Sequence, residues 1–202
     1  MAPTPPNDAP ETGPGPEAAG REPRILVALT GGIACYKTAT LVSRLSQRGC
    51  FVRVVMTDAA TKFITPLTLQ ALSGAPVLTS IWQHDEHPDS QHIGLARWCD
   101  LLVIAPATAD IMGRIASGLS GDLVSLVAAA LPRETPVLIA PAMNAQMWEN
   151  PVTQRNLATL RDLLGWRTVG PETGWQACRT RGAGRMSEPE TILDAVMQQL
   201  ER

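Results

Sequence analysis

The chain lacks most of the features that would assign it quickly. Its 202 residues carry 17 Lys and Arg against 19 Asp and Glu, a net charge of −2. That provides no overall basic field for nucleic acid, and a small anionic ligand would need backbone groups or a local arginine. No apolar run reaches the ~18–20 residues of a membrane span. The N-terminus has neither the basic start nor the apolar stretch of a secretory signal. The four cysteines, Cys35, Cys50, Cys99 and Cys178, form no CxxC pair and no metal-ligand spacing. No internal repeat is visible. These absences lead us to expect a soluble, reduced, cytoplasmic protein that binds neither membrane nor nucleic acid and holds no metal.

Residues 1–23 lack Val, Ile and Leu altogether and contain seven prolines and three glycines. Such a segment cannot bury enough apolar surface to offset its ordering entropy, so a disordered tail is expected there. One folded domain is expected over 24–202. Its composition, 45% hydrophobic and 18% charged, suffices for a real core.

What is present is a set of short aliphatic runs: RILVALT (24–30), FVRVVMT (51–57), DLLVIA (100–105) and PVLIA (136–140). Each reads as a strand, FVRVVMT by its alternation and β-branching and the others as short continuous apolar runs. Helical stretches are expected between them: after Gly32 to about Gly49, then 65–72, 109–117, 122–131, 151–164 and 188–200. RTV (167–169) reads as a short fifth strand. Residues 74–91 and 174–186 read as loops, with His92 just before a strand. Buried strands alternating with helices predict an α/β fold, a single doubly wound Rossmann-like domain whose parallel sheet is flanked by helices. Ligands of such a fold bind beyond the carboxyl ends of the strands.

The unusual residues cluster at those ends. TGGIA (30–34) joins the first strand to a helix, where glycines admit a ligand close to backbone N–H groups and the helix terminus favours an anion. It is neither GxGxxG nor a Walker loop, and an ordinary tight turn is equally compatible with it. Thr57 follows the second strand as a cap or a phosphate donor. Thr108, Ala109 and Asp110 follow the third, where small residues admit a flat ring. Pro141 to Trp148 follow the fourth and set Asn144 among large apolar side chains. His84 and His87 lie in a polar loop that reads as solvated. GWQACRTRGAGRM (174–186) holds Cys178, the cysteine without an apolar context, beside Arg179, Arg181 and Arg185. It is too long for a mere connection, and long loops are often lids.

Each motif alone is ambiguous, but their order is not. TGGIACYK, VRVVMTDAATKFITPLTLQALSG, HIGLARWCDLLVIAPATADIMGRIASGL, APAMNAQMWENPVTQRNLATL and ACRTRGAGRM together resemble the phosphopantothenoylcysteine decarboxylases, flavin-dependent cysteine decarboxylases of coenzyme A biosynthesis. The likeness runs over about residues 24–197. It implies a flavoprotein, homotrimeric or a dodecamer of trimers, with FMN at the subunit interface. By motif, Gly31, Gly32, Ile33 and Thr57 would bind FMN. Thr108, Ala109, Asp110 and Ile111 would line the flavin, and Ala142 would touch it. His92 matches the active-site base, Asn144 the residue that holds the substrate carboxylate, and Cys178 the proton donor of a substrate-covering clamp. Met147, Ala177 and Arg185 would complete the substrate pocket.

The implied reaction converts 4'-phosphopantothenoylcysteine to 4'-phosphopantetheine through a thioaldehyde and an enethiolate, in a stand-alone decarboxylase. The family clamp usually reads ACGDxGxG, whereas Arg179 and Thr180 stand here for Gly and Asp. Gly94 stands where HIxLARW commonly has Glu. A peptidyl-cysteine decarboxylase of lantibiotic-type maturation shares the fold and first steps, and a non-catalytic FMN-binding regulator is the remaining alternative.

Overall fold

The computed structural model describes residues 21–82 and 91–201. The expected tail and the stretch with His84 and His87 lie outside them, apart from Arg21, Glu22 and Pro23.

The aliphatic runs become β1 (Arg24–Leu29), β2 (Phe51–Met56), β4 (Leu101–Ala107) and β5 (Val137–Pro141), joined by two-residue strands β3 (Val77–Leu78) and β6 (Arg167–Thr168) at the edges. Their order is β3-β2-β1-β4-β5-β6, with every pairing parallel. Side chains of one strand alternate between the sheet faces. Ile25, Val27 and Leu29 pack with α1 (Cys35–Gln47), α2 (Pro66–Ser73) and α8 (Pro189–Leu200). Leu26 and Ala28 pack with α3 (Gln91–Trp98), α4 (Ala109–Ala116) and α5 (Leu123–Ala130). Burial on both faces explains why the strands read as continuous apolar runs, and each Leu, Ile or Val so buried contributes about 1.5–3 kcal/mol. At the amino ends, Asp100 accepts the Arg24 N–H at 2.8 Å and pairs with the Arg21 and Arg24 guanidinium groups.

Four readings change. His92 lies on α3, not in a connection before a strand. Residues 74–91 include β3, too short to show a periodicity. The helix expected over 151–164 is α7 (Pro151–Ala158) followed by a single π turn to Leu163, and the short α6 (Ala145–Glu149) precedes it. The loop at 174–186 is largely an antiparallel hairpin of β7 (Glu172–Trp175) and β8 (Arg181–Arg185). Its ETGW and RGAGR strands are short and glycine-bearing, so neither alternation nor β-branching announces them. No helix among the described residues is long and apolar enough to cross a membrane.

Candidate active site

The carboxyl edge of the sheet opens into a cavity of about 920 Å³, near the upper end for small-molecule and cofactor sites. Four strand-end loops make its floor and the β7–β8 hairpin makes its roof. Every predicted site residue lines it except His92: Gly31, Gly32, Ile33 and Thr57 from the first two loops, Thr108, Ala109, Asp110 and Ile111 from the third, Ala142, Asn144 and Met147 from the fourth, Ala177, Cys178 and Arg185 from the hairpin.

The glycine loop is built for close approach. A Cβ on Gly31 would sit 2.4 Å from the Ala59 Cβ, so only glycine lets the loops after β1 and β2 touch. The helix that follows starts at Ala34 without a side-chain cap. The Gly32 carbonyl accepts the Cys35 N–H at 3.1 Å and the Ala34 carbonyl the Lys37 N–H at 2.9 Å, so an anion at this helix start would meet the N–H groups of the glycine loop itself. Lys37 lines the cavity too, but its buried ammonium is committed to the Met186 carbonyl at 2.8 Å and to Glu188 at 3.0 Å. Glu188 also meets the Arg185 guanidinium.

Thr57 and Thr108 serve as caps as well as lining. The Thr57 hydroxyl accepts the Ala60 N–H at 3.3 Å, and Thr108 accepts that of Ile111 at 3.4 Å. Thr30, buried, donates to the Pro106 carbonyl and accepts the Thr108 N–H at 3.2 Å, which joins the first and third loops.

Asn144 caps α6. Its Oδ1 accepts the Met147 N–H at 2.8 Å, so the carboxamide is fixed and its NH₂ is the group left to donate. Capping a helix and contacting a ligand do not compete here, because one amide has an end for each.

The hairpin is fastened directly to the Asn144 loop. Met143 N–H donates to the Gly184 carbonyl at 2.9 Å. A Cβ on Gly184 would lie 2.4 Å from the Met143 oxygen, and one on Gly182 2.6 Å from the Ala145 Cβ. Gln176, buried between them, accepts the Ala145 N–H at 3.2 Å and donates to the Ala183 carbonyl at 2.7 Å. Nothing in the sequence distinguished Gln176 or Lys37, which look like ordinary polar residues until the tertiary contacts bury them.

At the hairpin tip, Arg179 has φ 65°, the left-handed region. The Gln176 carbonyl accepts the Arg179 N–H at 2.9 Å, closing a three-residue loop whose last position favours glycine. The departure from ACGDxGxG therefore puts a side chain where the backbone strains against it. Cys178 in the same loop is exposed, whereas Cys35, Cys50 and Cys99 are buried free thiols. Burial raises the pKa of all three, that of Cys99 to about 12, which makes them inert nucleophiles.

A profile of the Flavoprotein family matches residues 16–201. The chain belongs to that family. It is 42% identical over 177 residues to the probable phosphopantothenoylcysteine decarboxylase of Streptococcus mutans, covering 88% of this chain and 98% of that protein. It is 50% identical over 173 residues to the coenzyme A biosynthesis bifunctional protein CoaBC of Escherichia coli, covering 85% of this chain but 41% of the relative. The chain thus spans less than half the length of the bifunctional relatives it matches. Among solved structures, a cysteine-to-serine mutant of PPC decarboxylase complexed with pantothenoylaminoethenethiol superposes with a TM-score of 0.80 at 35% identity, covering 90% of this chain and all (100%) of that one. The FMN-binding protein AtHal3 superposes at 0.78 with 35% identity, covering 90% and 98%.

Two outcomes are expected. A disulfide reagent should modify one thiol, Cys178, rapidly in the native protein and the rest only after denaturation; a second fast thiol would contradict the burial pattern. Arg179→Gly should stabilise the protein by roughly 0.5–1 kcal/mol through relief of the left-handed strain, seen as a higher denaturation midpoint, and a lower midpoint would refute the strain.

Proposed function

We propose that the chain catalyses the FMN-dependent decarboxylation of 4'-phosphopantothenoylcysteine to 4'-phosphopantetheine in coenzyme A biosynthesis. One observation carries this reading: the glycine loop, the capped Asn144 and the exposed Cys178 meet in a single cavity. The residues fit FMN. The uncapped start of α1 with Gly31, Gly32 and Ile33, together with the Thr57 hydroxyl, suits a phosphate. Thr108, Ala109, Asp110, Ile111 and Ala142 leave a shelf of small side chains and backbone for a planar ring. Bound there, FMN supplies reversible hydride acceptance.

Direct loss of CO₂ from a C-terminal cysteine would leave a carbanion beside an amide nitrogen, with nothing to delocalise it. At the thioaldehyde level, the same bond breaks towards sulfur and gives an enethiolate. Asn144 presents its NH₂ to the leaving carboxylate, and its capped oxygen keeps the amide from turning. Met147 and Ala177 wall the thiol end. Arg185 and Lys37 share the single Glu188 carboxylate, an arrangement with one positive charge in excess that suits the anionic substrate. Cys178 gives its thiol proton to the carbon that carried the carboxylate.

His92, as base, completes this site from a second copy of the chain. No residue of its helix, α3, lines its own chain's cavity. At the cavity mouth Ile33, Tyr36 and Trp175 are 59%, 62% and 67% exposed, an apolar rim that a second copy would cover. A homotrimer, or a dodecamer of trimers, would place every site at such a contact. Four free thiols suit a reducing, cytoplasmic setting.

Asn144→Asp keeps a good helix cap but sets a carboxylate against a carboxylate. Turnover should fall about 100-fold or more while FMN stays bound; loss of FMN, or unchanged turnover, would remove Asn144 from this role. Mixed oligomers of His92→Asn and Asn144→Asp chains should recover roughly a quarter of parental activity if each site draws on two copies. No recovery would place His92 outside a shared site.

A further inference from the structure

We infer that Gln176 is a positioning residue that holds the Cys178 thiol in register with Asn144 across the cavity. The inference rests on the decarboxylase reading for its chemical consequence, but its geometry is independent of it. Gln176 is 7% exposed although its neighbours Trp175, Ala177 and Cys178 are exposed. Its side chain turns inward while the turn it begins stays at the surface.

All four hydrogen-bonding positions of the amide are occupied. The NH₂ donates to the Ala183 carbonyl at 2.7 Å and reaches the Gly182 carbonyl at 3.4 Å. Oε1 accepts the Ala145 N–H at 3.2 Å and lies 3.6 Å from the Cys178 Sγ, within range of a thiol donor. The two ends cannot be exchanged, because an N–H faces one and carbonyls face the other. Ala145 is the first residue of α6, directly after Asn144. One oxygen therefore touches both the helix terminus that orients the carboxylate-binding amide and the thiol that delivers the proton. Thr180 Oγ1, 3.0 Å from the Cys178 Sγ and 3.5 Å from the same Oε1, closes the group.

The proton step sets the consequence. The Cys178 S–H bond breaks, its proton goes to the carbon that lost CO₂, and sulfur keeps the electron pair as thiolate. The enethiolate so protonated is a thioaldehyde, and FMN bound in the cavity would supply the hydride equivalent that reduces it to the thiol level. Decarboxylation precedes this step and needs Asn144; reduction of the product needs the thiol in place. Loosening Gln176 should therefore affect the second more than the first.

Gln176→Met keeps the volume and removes the polar contacts. The ratio of released aminoenethiol to fully reduced aminothiol should rise about ten-fold, the effect of weakened hydrogen bonds at one step, with CO₂ release changed far less. Gln176→Glu, which keeps one accepting oxygen but sets the other against the Ala183 and Gly182 carbonyls, should raise the ratio as well. In the flavin-free protein, hydrogen exchange at Ala145 should speed up in Gln176→Met while β1 amides stay protected. An unchanged product ratio, an equal fall in both products, or unaltered exchange at Ala145 would each overturn the assignment. Absence of CO₂ release from the parent chain would instead overturn the decarboxylase reading, and the exchange measurement would still decide the role of Gln176.

Discussion

The site depends on one close backbone approach, that of Gly184 to Met143. A hydrogen bond of 2.9 Å joins them, and no side chain fits between. It connects two parts of different character. On one side is the carboxyl edge of a sheet buried on both faces, whose strands hold each other in register through six aligned pairs between β1 and β2 alone. On the other is a two-stranded ribbon with an exposed tryptophan and no core of its own. Without the glycines at 182 and 184, the ribbon would stand off the edge and the cavity would lose its roof.

The charges follow the same division. The glycine loop offers backbone dipoles, and the one lysine nearby is turned towards the start of α8. On the floor Arg114 is paired with Asp110 at 2.8 Å, and the further arginine charge, that of Arg185, comes with the roof. A ligand with a phosphate at each end would thus meet two kinds of anion site, one of backbone N–H groups on the sheet edge and one of guanidinium charge on the ribbon. The first site needs no rearrangement on binding, while the second changes with the position of the ribbon.

Much of this was legible in the residues. The α/β class, the first four long strands and the placing of Gly31, Thr108, Asn144 and Cys178 at one edge follow from apolar runs and their punctuation, because burial on both faces writes itself into composition. The hairpin did not show, since RGAGR carries no β signal and is paired through tertiary glycine contacts. Gln176 and Lys37 did not show either. A polar residue becomes a buried strut only through partners distant in sequence, such as Ala145 for one and Met186 for the other. His92 was recognisable as a motif, but it does not line the cavity of its own chain, which a linear motif does not encode.

An isolated two-stranded hairpin is marginal in water, and the ribbon over this cavity is held by few buried attachments. Its detachment is a local event that lies well below global unfolding in free energy. The residence time of anything beneath it is therefore governed by the ribbon and not by the sheet. A rigid floor beneath a separately attached cover gives one domain two scales of opening, one set by the sheet and one by the ribbon.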